Sequence, residues 1–375
     1  MALARKVVLG MRKTRITALL IMIFFALIAL IFSRKEINEI SVEKERKAQQ
    51  HEDISKRLEK LRKEGPKKEK YFSVTRVSFI KEEEPEEIHM IFVGDILLAR
   101  RPGYTMRDTG NINYPFEKVK EKLSSADLTF GNMEGCFTGN VVTGNVKGKN
   151  GTWYCFRSPA KFAQSLTYAG FDVVSLANNH SMNGGQKGIL DTIQTLDELG
   201  VVHVGAGKNI TEAEACKITT VKGLKIGFLA RTSIGVEGKA GENTPGIAVL
   251  DENIFKAVSD CDKKSDILIT TFHWGNEQEK TPNQSQKKYV YRLIDAGVDI
   301  IIGHHPHVLQ PVEIYKGKVI AYSLGNFVFD NPKESWRTSM ILEVFIDSKT
   351  KDQRVNKIPV MINNTRPEII SKSAK

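Results

Sequence analysis

Three histidines stand within four residues, His304, His305 and His307, with Pro306 between the last two. They follow directly on the apolar run Ile300-Ile301-Ile302 and Gly303. Neutral imidazole is the commonest metal ligand, and proline stiffens the turn that carries these three. A polar turn with incidental histidines is the alternative. One histidine would be read that way; three of the chain's eight in a single word read better as a metal cradle.

Four other apolar runs end in the same style. Met90 to Val93 meets Gly94-Asp95, and Leu128 to Phe130 meets Gly131-Asn132-Met133-Glu134. Val173 to Leu176 meets Ala177-Asn178-Asn179-His180, and Ile267 to Phe272 meets His273-Trp274-Gly275. Ligands of open α/β sheets bind outside the carboxyl ends of the strands. If these five strands share one sheet, Asp95, Glu134, Asn179, His180, His273, His305 and His307 converge on one rim. Mixed carboxylate, amide and imidazole donors suit a divalent Mn, Zn or Fe. Turns need polar residues in any case, so the weight rests on the repetition. Trp274, between a strand end and a glycine, reads as packing.

The elements that must position these residues alternate in period. Short β-branched runs read as strands. Between them, Phe116 to Leu123, Pro159 to Ala169, Gly185 to Leu199, Asp251 to Lys263 and Gln284 to Ala296 read as helices. Several stop at glycine: Gly170, Gly200 and Gly297. Lys222-Gly223 and Lys316-Gly317-Lys318 read as hairpin turns. Ser339 to Ile346 and Ile358 to Ile362 are late strands. Hairpins among βαβ units fit a two-sheet β-sandwich flanked by helices better than a simple doubly wound sheet.

The net charge of +11 is unevenly placed. Residues 1–70 carry 18 Lys/Arg and 9 Asp/Glu, whereas the remainder carries 37 and 35. Basicity confined to the amino-terminal segment argues against nucleic acid as a partner of the folded part. It fits contact with anionic lipid or an acidic polymer. Ile16 to Phe32 has no charge; as a helix it would span about 26 Å, near the lower limit for a bilayer. Arg5, Lys6, Arg12, Lys13 and Arg15 precede it, which places a short 1–15 segment in the cytoplasm and the rest outside. The expected order is a transmembrane anchor at 16–33, a charged helical stalk at 34–70, a linker at 71–87, the main domain at 88–346, and a strand and tail at 347–375. Of the four cysteines, Cys136, Cys155, Cys216 and Cys261, the first two flank a Gly- and Asn-rich loop and can either bridge or stay reduced, and the sequence does not fix the connectivity of the four.

Taken together, Val93-Gly94-Asp95, Gly131 to Glu134, Ala177 to His180, Asn243-Thr244-Pro245-Gly246, His273-Trp274-Gly275, Gly303 to Val308 and Tyr322 to Asp330 resemble the CapA/PgsA family of bacterial poly-γ-glutamate capsule synthesis proteins. They occur in that family's order and span about Ile88 to Ile346. The family in turn resembles the calcineurin-like metallophosphoesterases, a sandwich of two sheets that carries a metal centre.

The resemblance implies roles. Asp95, Glu134, Asn179, His273, His305 and His307 would be metal ligands, and His180 a general acid, with Asp95 also at the catalytic centre. Read from the residues themselves and not from the resemblance, Arg157, His304 and Asn326 are candidates to face substrate, and Asn132, Asn183 and Glu277 to orient the ligands, with an ordinary solvent-facing glutamate the alternative for Glu277 and a carboxylate or phosphate the group that Arg157 would meet. Three positions depart from the pattern, the first being the Gly131-Asn132-Met133-Glu134 word, where the superfamily has carboxylates at both positions. Leu97 stands where its first motif has a histidine, which favours one metal over two. Asn183 stands where CapA-like proteins usually have aspartate. The implied function is a membrane-anchored component of capsule synthesis and export, with an extracytoplasmic domain that handles poly-γ-glutamate or its precursor beside other membrane subunits. A cell-surface metal-dependent phosphoesterase and a non-catalytic scaffold are the alternatives.

Overall fold

Alternation of apolar residues on both faces is what a strand needs when it is covered on both sides, and strand β1 (Glu87–Ile96) shows it. Ile88, Met90 and Phe92 point into one apolar core, and Ile91 and Val93 into another. The computed structural model describes residues 87–139, 146–147, 153–330 and 333–370. The expected anchor, stalk and nearly all of the linker lie outside the described residues. Among the described residues no helix is long and apolar enough to cross a membrane.

Apart from short two-residue strands, the other strands are β2 (Leu128–Met133), β3 (Val173–Ser175), β4 (Val202–Val204), β5 (Lys217–Val221), β6 (Leu224–Thr232), β7 (Ile267–His273) and β8 (Ile300–His304). They continue as β9 (Val312–Tyr315), β10 (Lys318–Ala321), β11 (Asn326–Val328), β12 (Thr338–Asp347), β13 (Gln353–Asn363) and β14 (Arg366–Ile369). One sheet is eight-stranded in the order β14-β13-β12-β1-β2-β3-β4, with β11 paired to β1. The other is six-stranded in the order β5-β6-β7-β8-β10-β9. In the first, β1 to β4 run parallel. In the second, β6, β7, β8 and β10 do so, with a hairpin strand at each edge.

The sheets face each other across a core of Phe92, Phe130, Phe228, Ile269, Ile300 and Ile302. Phe130 of the first sheet stacks on Phe228 of the second at 6.1 Å. Helices α1 (Arg100–Thr109), α2 (Gln164–Ala169) and α3 (Gly185–Glu198) supply Met106, Leu166, Ile189 and Ile193 to the outer core of the first sheet. Helices α4 (Ile254–Asp262) and α5 (Gln284–Asp295) supply Val258, Val290 and Leu293 to that of the second. The expected sandwich of two sheets between helices is therefore the architecture.

Several expectations are corrected. The five ligand-bearing strands do not share one sheet: β1, β2 and β3 lie in the first, β7 and β8 in the second. Period-two alternation does not say which strands are neighbours, only that both faces are buried. In the segment Phe116 to Leu123 only Lys120–Leu123 is α-helical; before it, Phe116 and Val119 donate to Asn113 and Phe116, three residues back. Pro159 to Ala169 begins as a 3₁₀ turn over Ala160–Ala163 before α2. Helix α1 was not expected, because Pro102 and Gly103 are helix breakers by type; proline is tolerated in a first turn, where its missing N–H is not needed. Cysteine pairing is settled by distance. Cys216 and Cys261 form a disulfide with Cα atoms 5.6 Å apart, while Cys136 and Cys155 are thiols.

Candidate metal centre

The carboxyl ends of β1, β2, β7 and β8 meet at one edge of the sandwich, and Asp95 joins the two sheets there. Gly94 makes this possible: a Cβ would lie 2.0 Å from the carbonyl oxygen of Gly325, and the Asp95 N–H donates to that oxygen at 3.0 Å. Asp95 is fully buried. Its Oδ1 accepts from Asn132 Nδ2 at 2.9 Å. His304 Nδ1 lies 3.3 Å from Oδ1 and His307 Nδ1 3.4 Å from Oδ2. Burial pushes this carboxyl up, but the hydrogen bonds and charges of His304 and His307 outweigh it and hold Asp95 well below the carboxylate range.

Glu134 follows β2 and is also fully buried. Neither carboxylate oxygen has a hydrogen-bond partner. Its Oε1 lies 3.8 Å from His180 Nε2 and 3.9 Å from His307 Nε2. Burial first, and the charge of Asp95 next, push its carboxyl well above the usual range. His307 responds in the opposite sense. Burial alone would lower it, yet Glu134 and Asp95 raise it to about 10. A buried carboxylate without donors is costly, so this pair of acids calls for positive charge beside it.

Donor atoms of Asp95, Glu134 and His307 lie within 4.8 Å of one another. A second convergence adjoins it. His273 Nε2 is 2.9 Å from Asn179 Oδ1 and 3.1 Å from His305 Nδ1. Burial lowers His273 well below the ordinary histidine value. Burial, with the charge of His307, takes His305 down to about 3. These two are neutral imidazoles, the form that ligates metal. The donor chemistry and the two unpartnered oxygens of Glu134 fit a divalent cation. The turn that carries two of the imidazoles is strained: His305 has φ 95° and His307 φ 58°, both left-handed. Such backbone persists only when its surroundings impose it, and it clusters at functional sites.

A chain of amides orients Asp95. The His180 N–H can only donate, and it donates to Asn178 Oδ1 at 3.0 Å. The Asn178 amide nitrogen therefore donates, reaching Asn132 Oδ1 at 3.1 Å. That leaves Asn132 Nδ2 to donate to Asp95. Asn132 thus holds the carboxylate of a candidate ligand. Asn178 had not been singled out; its place in the Ala-Asn-Asn-His word was the signal available.

The other sequence candidates fall as follows. His180 stacks on Phe156 with centroids 3.9 Å apart. Its Nδ1 faces Asn183 Oδ1 at 3.1 Å, and burial lowers it to about 3. His304, expected to face substrate, is instead buried beneath Asp95 with its ring 6.1 Å from Phe130, turned towards the core between the sheets. Asn326 is also buried rather than lining the mouth, and its Oδ1 meets His307 Nδ1 at 2.9 Å. Both ring nitrogens of His273 face Asn132, Asn179 and His305, not Glu277, which is exposed. Arg157 lies in a two-residue strand beside Cys136–Phe137, its Nε 2.6 Å from Cys155 Sγ. Leu97 packs with Ala99, Phe156 and Phe329 as an apolar wall. Trp274 stacks on Phe272 at 4.7 Å and is packing.

A family model described as "Bacterial capsule synthesis protein PGA_cap" matches residues 89–331. The PGA biosynthesis protein CapA of Bacillus subtilis (strain 168) is 34% identical over 288 residues, 76% of this chain and 74% of that protein. The capsule biosynthesis protein CapA of Bacillus anthracis is 35% identical over 262 residues, 68% of this chain and 62% of the relative, so the match spans just under two thirds of that relative. Among solved structures, the 5'-nucleotidase precursor from Thermus thermophilus superposes with a TM-score of 0.41 at 14% identity, over 76% of this chain and 56% of its own.

Proposed function

The chain belongs to the bacterial capsule synthesis protein family PGA_cap, and from that premise we propose that it serves the synthesis and export of a poly-γ-glutamate capsule through a metal-bearing domain outside the membrane. The relatives' names support the pathway. The observation that carries the metal is Glu134, wholly buried with neither oxygen hydrogen-bonded, beside Asp95 and His307.

Asp95, Glu134 and His307 would hold the cation, with Asn179, His273 and His305 offering the adjoining donors. A bound divalent metal supplies Lewis acidity to a phosphoryl or acyl oxygen and lowers the pKa of water. The chain's own residues do the rest. Asn132 and Asn178 fix the Asp95 carboxylate. Phe156 and Asn183 hold His180 with its Nε2 towards Glu134. Leu97, Phe156 and Phe329 keep one wall dry.

The location rests on the uncharged run Ile16 to Phe32 behind five basic residues, which suits an uncleaved anchor with the domain outside. The Cys216–Cys261 disulfide supports the same side, because such bonds persist in oxidising compartments. The partners in this reading are the anionic polymer or its precursor, the other membrane subunits of the synthase, and the bilayer. Leu97 and Asn183 favour a second reading, a non-catalytic scaffold whose site has decayed.

The test is metal content. The full chain is purified in detergent without added metal, beside His305→Ala/His307→Ala. Near-stoichiometric metal in the parent and its loss in the variant support the site. If neither holds metal after Mn or Zn is supplied, the metal reading falls. Normal capsule in cells carrying the double variant would leave only the scaffold.

A further inference from the structure

We infer that Trp336 is a positioning residue for His307, the closing member of a clamp that holds the His305-Pro306-His307 turn and directs the His307 ring to the candidate metal centre. The inference rests on the metal reading of this site and adds a residue from outside the ligand set.

His307 is held at its ring and at its Nδ1. The ring lies against two aromatic rings, Phe329 with centroids 5.1 Å apart and Trp336 with centroids 5.4 Å apart. Its Nδ1 meets Asn326 Oδ1 at 2.9 Å. Trp336 fixes the direction of that bond. The Trp336 carbonyl can only accept, and Asn326 Nδ2 donates to it at 3.4 Å. Asn326 Oδ1 is therefore the atom offered to His307, whose Nδ1 donates. Nε2 is left towards Glu134 Oε1, 3.9 Å away. Trp336 thus acts on His307 twice, through its indole and through its main chain.

The contacts continue around the turn. Trp336 ends a 3₁₀ turn, Glu334–Trp336, and its N–H returns to the Lys333 carbonyl at 3.1 Å. Lys333 Nζ lies 5.4 Å from the centroid of the Trp336 ring and donates to Gln278 Oε1 at 3.0 Å. The Gln278 N–H donates to the Pro306 carbonyl at 2.8 Å. Pro306 stands next to His307, so the path closes on itself. Gln278, His305 and His307 all have left-handed backbone, at φ 69°, 95° and 58°. Such backbone is kept only where its neighbours over-determine it, and this ring of contacts is what surrounds the turn. A buried indole N–H usually finds an acceptor, and that of Trp336 has none; His307 and Lys333 hold the ring instead. Partners of this sort orient ligating imidazoles in metal sites.

The full chain in detergent, labelled with ¹³C at histidine Cε1, is compared with Trp336→Ala and Trp336→Phe, first metal-free and then titrated with Co(II). The His307 signal is assigned by its loss in His307→Gln. In the metal-free parent it is expected as one sharp line. In Trp336→Ala it should broaden or divide, and in Trp336→Phe stay single. Trp336→Ala should bind Co(II) about ten- to a hundredfold more weakly than the parent, with an altered visible absorption at saturation, and Trp336→Phe should recover most of both. An unchanged His307 line in Trp336→Ala overturns the inference, with or without metal. Parental affinity in that variant overturns it while the metal reading stands. Weaker binding with a parental spectrum at saturation marks a merely structural role and overturns it too. A parent that takes up no Co(II), with the His307 line still divided in Trp336→Ala, sinks the metal reading and supports the positioning of His307. Should Trp336→Ala not fold, Trp336→Leu replaces it under the same criteria.

Discussion

The Nδ1 of His180 donates to Oδ1 of Asn183 across 3.1 Å. The direction is dictated by a third group. The Phe156 N–H also lies on that oxygen, at 2.9 Å, and a backbone N–H can only donate. The amide is therefore oriented by the main chain, and His180 must carry its hydrogen on Nδ1, with Nε2 bare towards Glu134. Asn183→Ala should cost about 1–3 kcal/mol, because a buried N–H loses its acceptor. Asn183→Asp keeps an acceptor and should cost less. Urea unfolding measures both, and histidine ¹⁵N spectra should show a single His180 tautomer in the parent and a mixture in Asn183→Ala. A single unchanged tautomer in the alanine variant would refute the assignment.

The left-handed backbone at His305 and His307 makes a second expectation. Alanine at either position inherits the strain, whereas glycine does not. In metal-free protein, His305→Gly should therefore be more stable than His305→Ala by about 1 kcal/mol, and likewise at His307. Melting temperatures in chelator give the comparison. Glycine variants no more stable than the alanines would mean that the turn is unstrained.

Glu343 of β12 is expected to contribute to acid stability. It is buried and meets His89 Nε2 at 2.8 Å, Lys122 Nζ at 3.0 Å and Asn356 Nδ2 at 2.6 Å. Burial raises its carboxyl, but Lys122 and Asn356 overcome that and hold it below the ordinary value of 4.5. A depressed carboxyl stabilises the fold above its unfolded value and loses that contribution as pH falls through the folded one. Glu343→Gln should thus be about 1–3 kcal/mol less stable than the parent at pH 7, and the two should converge below pH 4.5. Parallel stability curves across that range would exclude Glu343 as the source.

The disulfide ties β5's leading edge to α4. It closes a separation of 45 residues, worth about 4 kcal/mol by unfolded-chain entropy. Cys216→Ser/Cys261→Ser should lower the melting temperature by several degrees, and reductant should do the same to the parent and nothing to the variant. Sensitivity of the variant to reductant would point to the remaining cysteines.

Much of this was local and so could be read along the chain. Strands β1, β2, β7 and β8 announce themselves through short β-branched runs, and each ends in the residue it delivers, because the residue after a strand must sit at the sheet's edge. Asp95, Glu134, His273, His305 and His307 were legible for that reason, and the seven words sufficed to indicate the family. Side-chain direction and partner choice were not legible. His304 and His305 are neighbours, yet one faces the core between the sheets and the other His273, a division set by the strained turn. Asn178 became a support for Asp95 only once β2 and β3 were paired. Arg100 and Asp330 meet because β11 docks on β1. Cys216 found Cys261 across the outer face of the second sheet. Alternation along a strand depends on the local chain and survives in the sequence. Which sheet a strand joins, and what its edge then touches, depends on contacts between distant segments, and those exist only once both sheets have packed.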